Sequence, residues 1–101
     1  MMENQQAQQN KTVRGYIMRM LAGSAQNTLL CHQLSRKLIE DKLTGSPDIS
    51  KHLEYLHQKG YVQFVGKETA YTIQTNDGPV SLTAAGIDLM EGSIADPGVD
   101  I

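Results

Sequence analysis

Cysteine is almost absent from this 101-residue chain, in which Cys31 is the only one. A single thiol cannot build the disulfide framework that holds small secreted domains together, so we predict a cytoplasmic protein from a reducing compartment. Long apolar runs are absent too, and none approaches the roughly 20 residues that a helix needs to cross a bilayer. Residues 1–10 lack the basic and apolar regions of a signal peptide. We therefore expect no membrane association.

Basic side chains are missing from the last third of the chain. Residues 1–67 carry nine basic and five acidic side chains, a balance of +4, whereas residues 68–101 carry six acidic and no basic ones, a balance of −6. A surface that contacts nucleic-acid phosphates is therefore expected in the first two thirds. The acidic last third is a candidate surface for a protein partner.

The sequence also lacks a spacing typical of metal or catalytic sites. Cys31 and His32 are adjacent, but no Cys-x-x-Cys pair is present, and His52 and His57 are five residues apart on a predicted helix, where they do not share a face. No glycine-rich loop of the phosphate-binding type is present. We therefore predict no metal and no cofactor, and an enzyme is the least favoured class.

What is present indicates one small globular domain. The chain is 40% apolar and 20% charged, which is ordinary for a soluble fold. We predict a disordered N-terminal segment at residues 1–11, a folded domain at 12–91 and an acidic flexible tail at 92–101. The tail contains Asp96-Pro97-Gly98, a sequence typical of a turn.

Two helices are predicted in the first half of the domain. The first runs from about Thr12 to Ala22, and the second runs from about Cys31 to Lys42. Between them, residues 28–30 form either a short strand or the start of the second helix. The residues expected on the buried faces of the two helices are Val13, Tyr16, Ile17, Met20, Leu21, Leu34, Leu38 and Ile39.

A third helix is predicted over residues 46–59. Ser46 is a favourable N-cap, Pro47 is tolerated at the first helical position, and Asp48 suits the positive end of the helix dipole. Gly60 ends the helix. The predicted buried face consists of Ile49, Leu53 and Leu56, and the outward or sideways positions are Ser50, Lys51, Glu54, Tyr55 and Gln58.

The remainder of the domain is predicted to be a hairpin followed by a helix. Residues 61–65 and 70–75 have strand-like composition and are joined by a short polar turn at 66–69. Residues 80–82 form a third short strand, and Thr83 is the N-cap of a final helix that extends to about residue 91.

Two segments resemble a known group of proteins. Residues 49–62, ISKHLEYLHQKGYV, resemble the recognition helix and first wing strand of ArsR-like and MarR-like bacterial regulators. Residues 82–87, LTAAGI, resemble the Leu-Thr-x-x-Gly segment that begins the helix after the wing in MarR-like proteins. The resemblance implies an α+β winged helix-turn-helix fold over residues 12–91, with a three-helix core, a β-hairpin wing and a C-terminal helix. The longer second helix and the turn at 76–80 depart from the compact pattern and resemble more closely a small phage or prophage winged-helix protein.

The resemblance implies binding of double-stranded DNA, with the helix at 46–59 as the recognition helix. The N-terminal residues of such a helix meet base edges and phosphates in the major groove. Lys67 at the wing tip is expected to approach the minor groove or the backbone. Cations of the first two helices are expected at backbone phosphates if their basic faces turn toward the duplex, and they are Arg14, Arg19, Arg36 and Lys37. The candidate contact residues are Ser46, Asp48, Ser50, Lys51, Tyr55, Lys67, Arg36 and Lys37.

Two functions remain open from the sequence. The first is a bacterial or phage transcriptional regulator, which we expect to act as a homodimer because a monomer offers few phosphate contacts. The second is a winged-helix module that binds protein through its acidic C-terminal region, in a phage or nucleoprotein assembly. Winged helices serve both purposes, so the fold alone does not choose between them.

Overall fold

The computed structural model describes residues 3–101, with side chains from Gln5 onward. Within that range the fold is α+β, with five α-helices around a small three-stranded antiparallel sheet. The helices are α1 (Glu3–Ala22), α2 (Cys31–Glu40), α3 (Ser50–Gln58), α4 (Ala70–Asn76) and α5 (Ala84–Met90), and the strands are β1 (Thr28–Leu30), β2 (Val62–Phe64) and β3 (Pro79–Leu82). None of the described helices combines the length and the apolar character that a membrane span requires.

The sheet has β3 at its centre, in the order β1-β3-β2. Thr28 of β1 pairs with Ser81 of β3, and their hydroxyl groups are 2.9 Å apart. On the other side, Val62 of β2 pairs with Leu82. Residues 28–30, which the sequence left open, are therefore a strand. The predicted third strand at 80–82 is confirmed.

A single core lies between the helices and the sheet. Apolar side chains from all five helices and from β2 and β3 form it, with Leu29 of β1 packed against them, because the apolar face of one element is buried only against another. The largest fully buried side chains are Val13, Ile17, Met18, Leu21, Leu34, Leu38, Ile49, Leu53, Leu56, Val62, Ile73 and Val80. The predicted core positions of α1, α2 and α3 are largely confirmed, but Ile39 of α2 is 39% exposed.

Helix α1 begins earlier than the sequence predicted. It is already helical at Glu3, so the expected disordered segment at 1–11 is wrong for its described part, and residues 1 and 2 lie outside the described range. Side-chain hydrogen bonds one turn apart, such as Gln6 Nε2 to Asn10 Oδ1 at 3.0 Å, support this polar extension. Gln9 Nε2 also donates to the carbonyl of Leu43 at 2.6 Å.

Helix α3 begins at Ser50, so the predicted start at Ser46 is wrong. Asp48 Oδ1 accepts from the amide of Ser50 at 3.0 Å and thereby caps the helix from two residues upstream. The preceding backbone is held by Gln74 of α4, whose Oε1 accepts from the amide of Ile49 at 2.9 Å and whose Nε2 donates to the carbonyl of Pro47 at 3.0 Å. Residues 41–49 are consequently an irregular connection, and the longer second helix predicted from the sequence is wrong as well.

Helix α4 occupies the segment that was predicted to be the second wing strand, so the predicted β-hairpin wing is wrong. Thr69 caps α4 by accepting from the amide of Thr72, and Thr72 Oγ1 accepts from the amide of Thr69 at 2.8 Å. Ala70 and Ile73 are fully buried, because three-residue spacing places both on the helix face that meets the core. Packing of this face overrides the strand propensity of Tyr71, Thr72 and Thr75.

Helix α5 begins as predicted, with Thr83 as its N-cap. The Thr83 side chain accepts from the amide of Gly86 at 3.1 Å and donates to the carbonyl of Gly60. A Cβ at Gly86 would overlap the carbonyl oxygen of Tyr61, so only glycine lets α5 approach the start of β2. The Leu-Thr-x-x-Gly segment therefore has a local structural explanation in this chain.

The end of the chain packs against the domain, so the flexible tail predicted at 92–101 is wrong for its last residues. We call residues 96–100 the C-terminal strap. Tyr61 Oη donates to Asp96 Oδ2 at 2.6 Å, which raises the pKa of Tyr61 to about 12 and lowers that of Asp96. Lys59 Nζ lies 3.1 Å from the same carboxylate, and Val99 is only 4% exposed.

The strap is also attached to α1. The amide of Asp100 donates to the carbonyl of Lys11 at 3.1 Å, and Arg14 Nη1 donates to the carbonyl of Gly98 at the same distance. Gly15 lies beneath the strap, where a Cβ would overlap the carbonyl oxygen of Asp100. The strap therefore depends on a glycine in the interior of α1.

Candidate nucleic-acid interface

Helix α3 is packed on two sides and open on a third. Its apolar side chains point into the core, and both α1 and α4 pack beside it. The open side, which we call the outer face of α3, consists of Lys51, Glu54 and Gln58. Gln58 Nε2 donates to Glu54 Oε2 at 2.8 Å, so two of these three side chains are already joined.

Lys51 is the predicted contact cation of α3, and the structure leaves it available. It is exposed in the first turn of α3, and no ion pair or hydrogen bond joins its ammonium group to a residue described here. Its neighbour Ser50 is only 8% exposed, and its hydroxyl donates to Asp48 Oδ1 at 2.6 Å. The predicted outward orientation of Ser50 is therefore wrong.

Asp48 and Ser46 lie in the connection before α3, and both side chains are exposed. The two hydrogen bonds from Ser50 lower the pKa of Asp48, so its carboxylate is ionised and occupied as a helix cap. Ser46 Oγ accepts from the amide of Asp48 at 3.2 Å. These contacts give both residues a role in forming the start of α3.

Tyr55 is half-buried on the side of α3 that faces α1, which is consistent with the outward or sideways position predicted for it. The guanidinium carbon of Arg14 lies 3.5 Å from the centre of the Tyr55 ring, and the ammonium group of Lys59 lies 6.0 Å away on its own helix. A cation over an aromatic face is attracted by the ring quadrupole. The Tyr55 hydroxyl also lies against Gly98 of the strap.

The other predicted cations lie on separate elements. Arg36 and Lys37 are exposed on α2, where Lys37 Nζ is 3.6 Å from Asp41 one turn later. Lys67 is exposed in the turn between β2 and α4. Because no hairpin forms there, Lys67 does not lie at the tip of a wing.

A cleft between α1 and α3 brings together polar residues that the sequence did not connect. Its volume is about 240 Å³, and its lining residues are Asn10, Arg14, Lys51, His52, Glu54, Tyr55 and Gln58. We call it the α1–α3 cleft. The sequence named Lys51, Tyr55 and Arg14 as candidate contacts but not His52. Helical periodicity places Arg14 beside the buried stripe of α1, but which helix it meets depends on tertiary packing.

His52 is the buried titratable group of this cleft, with 6% of its surface exposed. Burial is the main cause that lowers its pKa to about 4, and the positive charges of Lys51 and Arg14 contribute in the same direction. The imidazole is therefore neutral at pH 7. A neutral ring carries one N–H donor and one acceptor nitrogen.

The remaining sulfur and imidazole groups do not assemble a metal site in the described part of the chain, where no three His, Cys, Asp or Glu side chains converge. Cys31 is buried, and its thiol lies 3.6 Å from Gln74 Oε1. Burial, with the nearby charges of Asp77 and Asp48, raises its pKa to about 11, so the thiol is protonated at neutral pH. His57 stacks on Phe64 with ring centres 4.7 Å apart.

Comparisons with known proteins add no relative to this description. No family model matches the chain, and the searches of curated proteins and of solved structures found no match either.

Proposed function

We propose that this protein is a variant winged helix-turn-helix that binds double-stranded DNA with the outer face of α3 in the major groove. The arrangement is compatible with such a layout, because helices α1, α2 and α3 come before strands β2 and β3 of a small sheet ordered β1-β3-β2. In this variant, α4 takes the place of the hairpin wing. The proposal rests on the likeness of residues 49–62 to recognition helices and on this compatible layout.

The observation that carries the proposal is the exposure of Lys51 on a helix whose other sides are packed. A helix is about 10–12 Å across with its side chains, which fits the major groove, and its N-terminal residues come closest to base edges and phosphates. Lys51 lies in that first turn with its ammonium group available. Glu54 and Gln58 extend the same face along the helix and supply acceptors and a donor for base edges.

The charge of the protein favours modest and salt-sensitive binding. The net charge is −2, and Asp96 and Lys59 form an ion pair whose opposite charges largely cancel, so neither adds much to the field around α3. A few exposed cations make a small number of phosphate contacts, and affinity then falls steeply with salt. Two copies that read two half-sites would strengthen binding, so we propose a homodimer on DNA.

The protein-binding alternative has less support. It relied on the six acids of the last third of the chain, but Asp96 is held by Tyr61 and Lys59, and the backbone of Asp100 is hydrogen-bonded to α1. The acids of this region that remain exposed, and that such a partner would meet, are Asp77, Asp88, Glu91 and Asp100.

Selection from a pool of random duplexes tests the proposal. We expect the protein to enrich a defined sequence at low salt, and Lys51→Ala to bind the selected duplex about 5- to 100-fold more weakly, as expected for loss of a base or phosphate contact. Lys42→Ala is the matched control, because Lys42 is an exposed lysine in the connection after α2. Failure to retain any duplex at about 50 mM salt, a condition that favours phosphate contacts, or equal effects of the two substitutions, would contradict the proposal.

A further inference from the structure

The α1–α3 cleft contains a histidine whose hydrogen-bonding capacity is unused. His52 is 94% buried, since 6% of its surface is exposed, and no hydrogen bond joins its ring to another residue of the described chain. Within residues 5–101, the one fully enclosed side-chain nitrogen or oxygen without a partner is Arg14 Nε. The ring nitrogens of His52, which have no partner, are therefore not fully enclosed. His52 lines the α1–α3 cleft, so a ligand in the cleft can reach its ring.

Two cations line the same cleft from opposite helices. Arg14 comes from α1 and Lys51 from α3, and both are close enough to lower the pKa of His52 by their charge. The guanidinium group of Arg14 is fixed by Tyr55 beneath it and by the carbonyl of Gly98 at 3.1 Å. A cation that is held before a ligand arrives loses little conformational entropy on binding.

The cleft has a positive balance. Arg14 and Lys51 contribute two positive charges, and Glu54 contributes one negative charge while accepting from Gln58. The neutral ring of His52 adds a donor without adding charge. Such a set of donors around a small space is suited to an anion with several acceptor oxygens.

We propose that the α1–α3 cleft binds a phosphoryl group, with Arg14 and Lys51 pairing with its charge and the His52 ring donating a hydrogen bond to one of its oxygens. The cleft volume of about 240 Å³ is below the roughly 300–1,000 Å³ of small-molecule pockets, so it suits one phosphoryl group with its immediate attachments. This inference rests on the proposed function, because the group it assigns to the cleft is a backbone phosphate of the duplex against α3. Such a contact fixes the position of a protein on DNA without reading sequence.

Histidine ring NMR in a phosphate-free buffer tests the inference. His52 lines the cleft, whereas His32 and His57 lie outside it and serve as internal controls. One arm adds inorganic phosphate, with sodium chloride at matched ionic strength as its control, and the other adds the selected duplex. We expect both ligands to shift the His52 ring signals, and phosphate to raise the pKa of His52 by about 1 unit, because a nearby anion favours the charged imidazolium.

Variants locate the anion within the cleft. We expect Lys51→Gln to weaken phosphate binding, measured on the His52 signals, by about tenfold, because it removes one of two charge-assisted contacts. Lys42→Gln makes the same change of charge outside the cleft and is expected to leave phosphate binding unchanged. The backbone amide spectrum of each variant is recorded first, which establishes that the fold is retained.

The NMR results distinguish a phosphate site in the cleft from DNA binding by the outer face of α3. A His52 response to both ligands, or to the duplex alone, supports a backbone-phosphate site. A response to phosphate without any duplex binding keeps the cleft as a site for a free phosphorylated ligand and overturns DNA binding. Duplex binding that needs Lys51 but leaves His52 unchanged overturns the cleft site and keeps the proposed function. Equal shifts of all three histidines with phosphate reveal a diffuse ion effect and overturn the inference.

Discussion

Gly15 has no side chain, and the backbone of Asp100 runs directly against it. Replacing a glycine inside a helix with alanine normally stabilises a protein by up to about 1 kcal/mol. At Gly15 we expect the opposite, a loss of about 1–3 kcal/mol from overpacking, because a Cβ would displace the C-terminal strap. Chemical denaturation measures the loss, and amide exchange of Val99 and Asp100 measures the release of the strap.

Gly45 provides the control for Gly15. It is exposed in the connection before α3, and a Cβ there has no neighbour within 4 Å. Gly45→Ala is therefore expected to change stability by less than about 0.5 kcal/mol, as surface substitutions usually do. A Gly15→Ala variant that is as stable as the natural chain, with the strap amides equally protected, would show that the strap does not pack as described.

His52 makes stability depend on pH in a defined window. Its pKa is about 4 in the folded chain and 6.5 when unperturbed, so the unfolded chain binds the extra proton between these values. The stability that this group contributes is therefore present above pH 6.5 and falls by about 3 kcal/mol as the pH drops toward 4. Denaturation across this range measures the fall. His52→Gln is expected to remove the dependence, and an unchanged profile in that variant would contradict the assignment.

The carboxylates of Asp48 and Asp96 change the folding stability in a lower pH range. Hydrogen bonds lower the pKa values of Asp48 and Asp96 below 3.8, so the stabilisation from these groups is lost as the pH falls below that value. The two windows meet between about pH 4 and 5. Above about pH 5 the His52 effect is measurable without interference from either aspartate.

At the scale of elements, helix α4 determines how the outer face of α3 is presented. Gln74 binds both the amide of Ile49 and the carbonyl of Pro47, which are the backbone groups just before α3. We expect Gln74→Ala to lower the free energy of unfolding by about 1–3 kcal/mol, because it leaves a half-buried amide without its partner. Denaturation measures the loss, and exchange of the Ile49 amide locates it.

Gln58→Ala is the matched control for Gln74. Gln58 lies on an exposed position of α3, and its amide bonds only the neighbouring carboxylate of Glu54 among the hydrogen bonds described. We expect that variant to lose less than about 0.5 kcal/mol. If both glutamine variants were equally stable, α4 would not support the start of α3.

The sequence correctly predicted the elements that depend on residues close to one another in the chain. The apolar periodicity of α1 and α2 and the Thr83 cap of α5 predicted these helices, because each depends on residues within one or two turns. Helix α4 was predicted as a strand because its seven residues have a strand-like composition. The helix forms instead because the burial of its apolar face against α3 outweighs that composition. The start of α3 was placed four residues early, since Gln74, far along the chain, holds the backbone that Ser46 and Pro47 were expected to make helical.

At the scale of the whole molecule, the separation of charge along the sequence does not persist in space. The acidic end of the chain returns to the basic half, where Asp96 meets Lys59 and Asp100 lies against α1. Sequence patterns predicted Lys51 as a contact residue, but the meeting of Arg14, Lys51 and His52 across two helices depends on tertiary packing. That cleft therefore lies beyond what residue spacing predicts.

The proposed contact between a duplex and the outer face of α3 is best tested by NMR, from the changes in backbone amide chemical shifts when the selected duplex is added. We predict that the largest shifts fall on residues 46–58, with smaller ones at Asn10 and Arg14 of the cleft. Shifts that cluster instead on α5 and the strap, or an unchanged spectrum at low salt, would contradict the account.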